Sequence, residues 1–452
     1  YIVESTTNEN NPYTKGTLGY QIMEDNSNIK TRTDFSTTYT DVNIATMYKA
    51  QEDNTDVYYF AGDARNNWVK FGGYYWRIIR TNADGSIRLL YHGTSPEATD
   101  AYVDNYVINM SANDSMYVGY MYGTSGSLAD NRLNTNNSSI KDKIDTWYAS
   151  NMTSYTKYLS TTAVYCNDRE VGSGTYSATG DEFYYAAYTR LITNKKPTYN
   201  CVATEDRFTV SGTTGNGKLT YPIALMTADE VSYAGGLYNT DATTWIYSNS
   251  KGNSSINDGI REWWLMTPSY WYSDKIAVTF KVSSYENRKA HLRAQRVFDG
   301  LYIRPVISLK KDLLYKSGDG SATSPYTIEE VADPKLTDVI KTNTVNENGY
   351  RYEGTNPNNY IYMTNKSTNE KELWRIIGIF NDGANGEEVI RVRRHYEKDS
   401  YPTMAYDSNK TNHFPNTTMH DKLSSTYNLT NYSHTVNYKM YLGTSSSYSS
   451  LT

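Results

Sequence analysis

Residues 66–79 read Asn-Asn-Trp-Val-Lys-Phe-Gly-Gly-Tyr-Tyr-Trp-Arg-Ile-Ile, and most of this stretch returns near residue 360. Residues 358–363 read Asn-Asn-Tyr-Ile-Tyr-Met, and after an insertion residues 373–377 read Leu-Trp-Arg-Ile-Ile. Beyond each Arg-Ile-Ile comes an Asp-Gly pair, Asp84-Gly85 and Asp382-Gly383. A β-rich run follows each pair, Ile87–Tyr91 and Val389–Arg393. Gly72-Gly73 is a hairpin signal, and Asp-Gly supplies the positive-φ position of a tight turn. Both copies therefore predict strand, turn, strand, turn, strand. Alternation of Trp76 and Ile78 with Arg77 and Ile79, and of Trp374 and Ile376 with Arg375 and Ile377, predicts a sheet with at least one buried face.

The likeness continues downstream. Ile140-Lys-Asp-Lys-Ile-Asp-Thr-Trp-Tyr148 parallels Met419-His-Asp-Lys-Leu-Ser-Ser-Thr-Tyr427. Apolar positions 140, 144, 147 and 148 form a helical stripe, with Ser138 or Ser139 as its N-cap. Each repeat reads as a three-stranded meander, a variable polar insertion and an amphipathic helix. The first copy then goes on. Tyr221–Val231 predicts a strand entering a short helix, with Thr227 as N-cap and Glu230 closing a capping box. Trp263–Pro268 and Leu301–Leu309 read as core strands with Pro at their rims. Ser317–Tyr326 is a turn cluster that ends the domain. The expected organisation is a polar N-terminal arm or linker over 1–49, a first β-rich domain over 50–330, a linker over 331–344, and a related second domain over 345–452. The second copy lacks the closing elements of the first and reads as incomplete. Residues 18–25 are a candidate short helix within the arm.

At roughly 100–200 residues per domain, 452 residues allow two to four domains. There are 46 Tyr against 9 Phe and 8 Trp, so the aromatic supply is mostly amphipathic. A buried Tyr needs a partner or water for its hydroxyl. No continuous apolar run is long enough to span a membrane as a helix. A net charge of -5 supplies no general basic field for nucleic acid. Charged residues make up only 21% and aromatics 14%, which argues against wholesale disorder. Cys166 and Cys201 have no Cys or His neighbour at metal spacing. A disulfide is the favoured reading, with two unrelated thiols as the alternative. A disulfide favours an extracellular location.

Several of these segments resemble a widespread family of uncharacterised surface-exposed or secreted proteins of low-GC Gram-positive gut bacteria. The resemblance is carried by Tyr58-Tyr-Phe60, Asn67-Trp-Val-Lys-Phe71, Trp76-Arg-Ile-Ile-Arg80, Tyr117–Thr124, Cys166-Asn-Asp-Arg169, Gly215–Ile223, Thr227–Val231, Ile303–Leu309 and Gly318–Ser321. It covers most of 50–330. Asn358-Asn-Tyr-Ile361 with Leu373–Phe380 resembles a second module type of that family. Trp264-Leu-Met-Thr-Pro268 with Ile303-Arg-Pro-Val-Ile307 is similar, more distantly, to a pattern of C-type-lectin-like domains related to the formylglycine-generating-enzyme fold, with Met266 where that pattern has Arg. The resemblance implies an α+β fold of β-rich tandem modules, with twisted antiparallel sheets, long polar insertions and few helices. It carries location and fold rather than an activity.

The search for chemistry is mostly negative. The six histidines show no helical metal pair. Gly212–Lys218 has P-loop spacing, but Leu219 stands where the Ser/Thr belongs and Pro222 interrupts the expected helix. The Asp-rich turns at 82–85, 257–259 and 317–320 read as turn chemistry rather than calcium ligands. Asp229, Glu230 and Glu262 lie near aromatic runs, but the cap already accounts for Glu230. No catalytic residue, cofactor or metal is assigned. Tyr270-Trp271-Tyr272 and the insertion residues Tyr117, Tyr120 and Tyr122 are the candidate ligand or partner surface, weighed against ordinary core packing. The functional expectation is a bacterial cell-surface structural or adhesive protein. Its partners are itself or neighbouring surface subunits, with strand addition (an arm at 1–17 as donor) completing a filament. The alternative is a glycan-binding module using exposed Tyr and Trp.

Overall fold

The computed structural model describes residues 11–98, 101–247, 262–272, 274–284, 290–331, 336–347, 349–381 and 387–395. Strand accounts for 37% and helix for 18%, so sheets carry the fold. The chain divides into two compact units, 1–331 and 332–452.

The first unit has two large sheets. In the eight-stranded sheet the order is Asn28–Thr31, Thr46–Glu52, Thr55–Tyr59, Tyr74–Thr81, Ile87–Gly93, Val306–Leu309 and Ile223–Ala224, and Trp68–Phe71 also pairs with Tyr74–Thr81. The quoted stretch is its central hairpin, with Trp68 opposite Arg77 and Val69 opposite Trp76. Gly72 and Gly73 turn it at φ 62° and 82°, a conformation an L side chain adopts only with strain. The seven-stranded sheet runs Val171–Ser173, Phe183–Tyr185, Trp263–Tyr272, Ile276–Ser284 and Ala290–Arg296, with Leu301–Ile303 and Asp104–Tyr106 alongside.

Arg304-Pro305 is where the chain leaves one sheet for the other. Leu301–Ile303 pairs with Trp263 in the seven-stranded sheet, while Val306–Leu309 pairs with Ile87–Leu90 in the eight-stranded one. Pro has no N–H to pair at such a break. The buried Arg304 guanidinium donates to the carbonyls of Tyr91 and Ile246 and lies 4.9 Å from the Trp263 ring centroid. The helix Ser139–Asn151 buries Ile140, Ile144 and Tyr148, and Ser138 caps it by accepting from Lys141 N. Thr227 caps Ala228–Tyr233 with Glu230 closing the box.

Residues 11–49 are not an arm. Leu18–Asp25 is a helix capped by Thr17, with Leu18, Ile22 and Met23 in the main core, and Asn28–Thr31 and Thr46–Glu52 are strands of the large sheet. The polar connections hid this, because the apolar content sits in one short helix and one strand. The stretch expected as a linker over 331–344 is also corrected. It holds the helix Leu336–Thr342, whose Ile340 packs in a core with Ile376 and Ile379. The proposed strand donor lies largely in residues 1–10, outside the described residues. So do Asp382-Gly383, the helix expected over 419–427 and the turn at 257–259.

Among the described residues, the five-stranded sheet of the second unit repeats the pairing of five strands of the eight-stranded sheet. Its sheet pairs Val345–Asn346 with Tyr350–Arg351, that strand with Lys371–Phe380, and the latter with Tyr360–Thr364 and Val389–Arg394. Tyr360 faces Arg375 and Ile361 faces Trp374, the register of Trp68–Arg77 and Val69–Trp76. The sheet is irregular between Ile376 and Gly378, as it is between Ile78 and Arg80. Asn67 Oδ1 accepts from Arg77 Nε at 2.7 Å while its Nδ2 donates to Ile78 O at 2.9 Å. Asn359 does the same with Arg375 Nε and Ile376 O, at 3.0 and 2.6 Å. Each arginine also lies over the residue after its asparagine, Trp68 at 4.1 Å and Tyr360 at 4.7 Å. Among the described residues no helix is long and apolar enough to cross a membrane.

Candidate functional site: an open tyrosine face

Phe183–Tyr185 pairs antiparallel with Trp263–Tyr272, setting Phe183 opposite Trp271 and Tyr184 opposite Tyr270. Successive strand residues point to opposite sides. Phe183, Tyr185 and Trp271 are buried, whereas Tyr184 and Tyr270 are half-buried and Tyr272 is 43% exposed. Tyr188, at the end of the helix Ala186–Tyr188, and Tyr238 complete a face of five rings. Centroids are 4.6 Å apart for Tyr184–Tyr188, 5.5 Å for Tyr188–Tyr270, 5.8 Å for Tyr184–Tyr270, 5.8 Å for Tyr270–Tyr272 and 6.3 Å for Tyr188–Tyr238. Tyr238 rests on Phe280, and the same sheet row runs from Tyr270 through Val278 to Arg296.

Tyr184 Oη donates to Glu182 at 2.9 Å, and that bond, with some burial, pushes its pKa up to about 12. Burial and the neighbouring phenols push Tyr270 up to about 12 as well. The hydroxyls of Tyr188, Tyr238, Tyr270 and Tyr272 take no protein partner among the described residues. Arg296 is paired with Asp299 at 3.2 Å and lies over Phe298.

A buried polar cluster anchors the face from behind. The helix bearing Tyr188 continues into a π-helical turn, Thr189–Thr193. Arg190 in that turn binds Asp229 at 2.8 and 2.6 Å and Asp168 at 2.5 Å. Burial would lower the Arg190 pKa, but the two carboxylates outweigh it and hold the guanidinium charged. Asp229 also accepts from Thr198 N at 2.9 Å. Thr198 lies three residues before Cys201, and Asp168 two residues after Cys166, and these cysteines form a disulfide with a Cα–Cα distance of 5.7 Å. Asp168 takes a left-handed φ of 43°, an uncommon setting for a non-glycine residue. Behind Arg190, Glu230 Oε1 receives Arg80 Nε at 3.0 Å and Arg88 Nη1 at 2.7 Å, and Arg80 also binds Glu52 at 2.8 Å. A cavity of about 20 Å³ lies among Arg88, Cys166, Asp168, Arg190 and Asp229.

Of the residues the sequence singles out, Tyr270 and Tyr272 lie on this face. Trp271 does not: strand alternation turns it inward, and its Nε1 donates to Gly180 O at 3.2 Å. Tyr120 is 2% exposed and packs on Phe208, so it is a core residue rather than a displayed one. Tyr117 and Tyr122 are half-buried and meet edge to face at 5.4 Å, with no ring contact to the five. The sequence reading missed Tyr184, Tyr188 and Tyr238. The spacing of Tyr184 and Tyr188 within Phe183-Tyr-Tyr-Ala-Ala-Tyr188 was the available signal for two of them.

The other motifs resolve as structure. Residues 211–217 form a turn that runs into no helix. The Asp84 carboxylate is occupied by Ser86, Ser160 and Thr162, and Asp319 by Ser321. Among the described residues no three His, Cys, Asp or Glu side chains gather at metal-binding range. His92 is buried against Trp68 and His291 meets Asp241 at 2.8 Å, while His413, His420 and His434 lie outside the described residues. No family model, no curated protein and no solved structure matches this chain.

Proposed function

We propose that this chain is an extracellular, cell-surface or secreted bacterial protein with an adhesive or structural role, built from C-type-lectin-like modules, and that its first unit engages its partner through the tyrosine face. The five-ring face of Tyr184, Tyr188, Tyr238, Tyr270 and Tyr272 carries this reading. Tyrosine supplies large contact area at small conformational cost, and it is the residue type most enriched at binding surfaces. The disulfide supports an oxidising, extracellular setting. The bacterial source rests on the family resemblance of the sequence motifs.

The test is adhesion of beads coated with the full chain to a glycoprotein-rich mucus layer. The expected result is retention of wild-type beads and at least a tenfold loss for the double variant Tyr270→Ser/Tyr272→Ser, with unchanged circular dichroism. Equal retention of both would sink the assignment of the face.

A further inference from the structure

We infer that Tyr184 and Tyr188 are a site of oxidative modification, where hydrogen peroxide and a peroxidase join the two rings as dityrosine and Glu182 accepts the proton of Tyr184. This is covalent chemistry of the face itself, and it holds whatever partner the face binds.

The first ground is the environment of one phenol. Loss of an electron turns a phenol into a very strong acid, so the electron leaves readily only where a base takes the proton. Tyr184 Oη already donates to Glu182 Oε1 at 2.9 Å, within reach of direct proton transfer. That bond, with some burial, pushes the Tyr184 pKa up to about 12, so the proton is in place at neutral pH. Glu182 is exposed and can hand the proton on to solvent. The far end of the face is set the opposite way. Tyr238 lies in the field of the Arg293 cation, which opposes loss of an electron there.

The second ground is ring geometry. The Tyr184 and Tyr188 centroids are 4.6 Å apart with the planes at 43°, the shortest contact of the five-ring face. That separation is close to the spacing of two rings joined by a single carbon–carbon bond. Both rings are half-buried, so each keeps an open edge. Tyr272, the most exposed ring, touches Tyr270, and Tyr270 touches both Tyr184 and Tyr188. An electron taken from Tyr272 is therefore replaced through Tyr270 from Tyr184, whose proton has an acceptor. Tyr199 and Tyr233 stack still closer, at 4.0 Å, but both are buried and closed to an oxidant.

The step balances. Each phenol gives up one electron and its hydroxyl proton, that of Tyr184 to Glu182 and that of Tyr188 to water. The two phenoxyl radicals form one bond between ortho carbons. The two ortho C–H bonds then break, and those protons move to the phenol oxygens to restore both rings. The two electrons and two protons removed reduce one hydrogen peroxide to two waters. The product ties the strand Phe183–Tyr185 to the end of the helix Ala186–Tyr188 and fixes the face covalently.

The experiment treats the full chain with hydrogen peroxide and a peroxidase, follows dityrosine fluorescence, and maps the bridge by peptide mass spectrometry. The expected product is a peptide spanning 184–188 that is lighter by two hydrogens and gives no backbone fragments between the two tyrosines. Tyr184→Phe should abolish that peptide with circular dichroism unchanged. Glu182→Gln keeps the rings in place but supplies no base, and its bridging rate should fall roughly tenfold. Absence of the 184–188 bridge under conditions that couple free tyrosine overturns the inference. So does a bridge found only elsewhere, as at Tyr102–Tyr302, whose centroids are 4.0 Å apart. Bridging of Glu182→Gln at the wild-type rate overturns the role of Glu182.

Discussion

Glu230 divides its two oxygens between two tasks. Oε2 accepts from Thr227 N and closes the cap of its helix, while Oε1 takes Arg80 and Arg88 from the facing sheet. The capping half was readable from Thr227 and the three-residue spacing. The ion-pair half was not, because Arg80 and Arg88 lie some 150 residues away in the chain and only the sheet brings them there. Burial raises the carboxyl pKa, but the two guanidiniums outweigh it and hold the group below its ordinary value of 4.5. A carboxylate depressed in the folded state stabilises fully above its unfolded pKa and loses that contribution as pH falls through the folded one. Acid unfolding should therefore steepen below about pH 4.5. Removing one partner of a buried ion pair costs about 3–5 kcal/mol. Urea titrations should show Glu230→Gln less stable by that amount at pH 7, with the gap narrowing toward pH 3. A gap constant with pH would show that the lost cap, not the lost charge, is responsible.

At the scale of elements, the repeated hairpin was the most legible part of the fold. Gly72-Gly73, the Trp-Arg-Ile-Ile run and its alternation specify turn, register and buried face locally. The Asn that precedes each Trp or Tyr reads as a polar loop residue, yet in both units it holds the arginine of the neighbouring strand and ties off the Ile carbonyl. The copies also diverge where long-range chemistry begins. Gly378 stands at the position of Arg80, so the second unit has no counterpart of the Arg80–Glu230 pair. The tyrosine face was only half legible, since Tyr270 and Tyr272 stand out as a cluster but their neighbours come from two other segments. Trp271 and Tyr120 were misplaced because composition says nothing of which side of a strand or loop faces inward. The duplicated clamp makes a paired prediction. Asn67→Ala and Asn359→Ala should each destabilise their own unit by about 1–3 kcal/mol through lost buried hydrogen bonds. Asn67→Asp should be better tolerated than Asn67→Ala, since it keeps the acceptor for Arg77. Two-probe unfolding that finds Asn359→Ala neutral while Asn67→Ala is costly would mean the second clamp is ornamental.

At the scale of the molecule, the disulfide is the link between stability and the candidate site. Both cysteines lie in the first unit, and the second has none. Closing a loop across 35 positions contributes about 3–4 kcal/mol in the chain-entropy model. Reduction should therefore lower the melting temperature of the first unit and leave the second unit's transition where it is, which calorimetry of the full chain can separate. The local effect should precede the global one. Cys201 holds the loop whose Thr198 N braces Asp229, Asp229 and Asp168 fix Arg190, and Arg190 fixes the turn that carries Tyr188. With the disulfide opened under native conditions, amides 186–201 should lose hydrogen-exchange protection while those of Tyr74–Thr81, in the middle of the other sheet, keep theirs. Ligand affinity of the face should weaken in step with the exposed fraction, and Arg190→Ala should reproduce both changes with the disulfide intact. Protection at 186–201 that is indifferent to reduction, alongside a lowered melting temperature, would confine the disulfide to global stability and detach it from the tyrosine face.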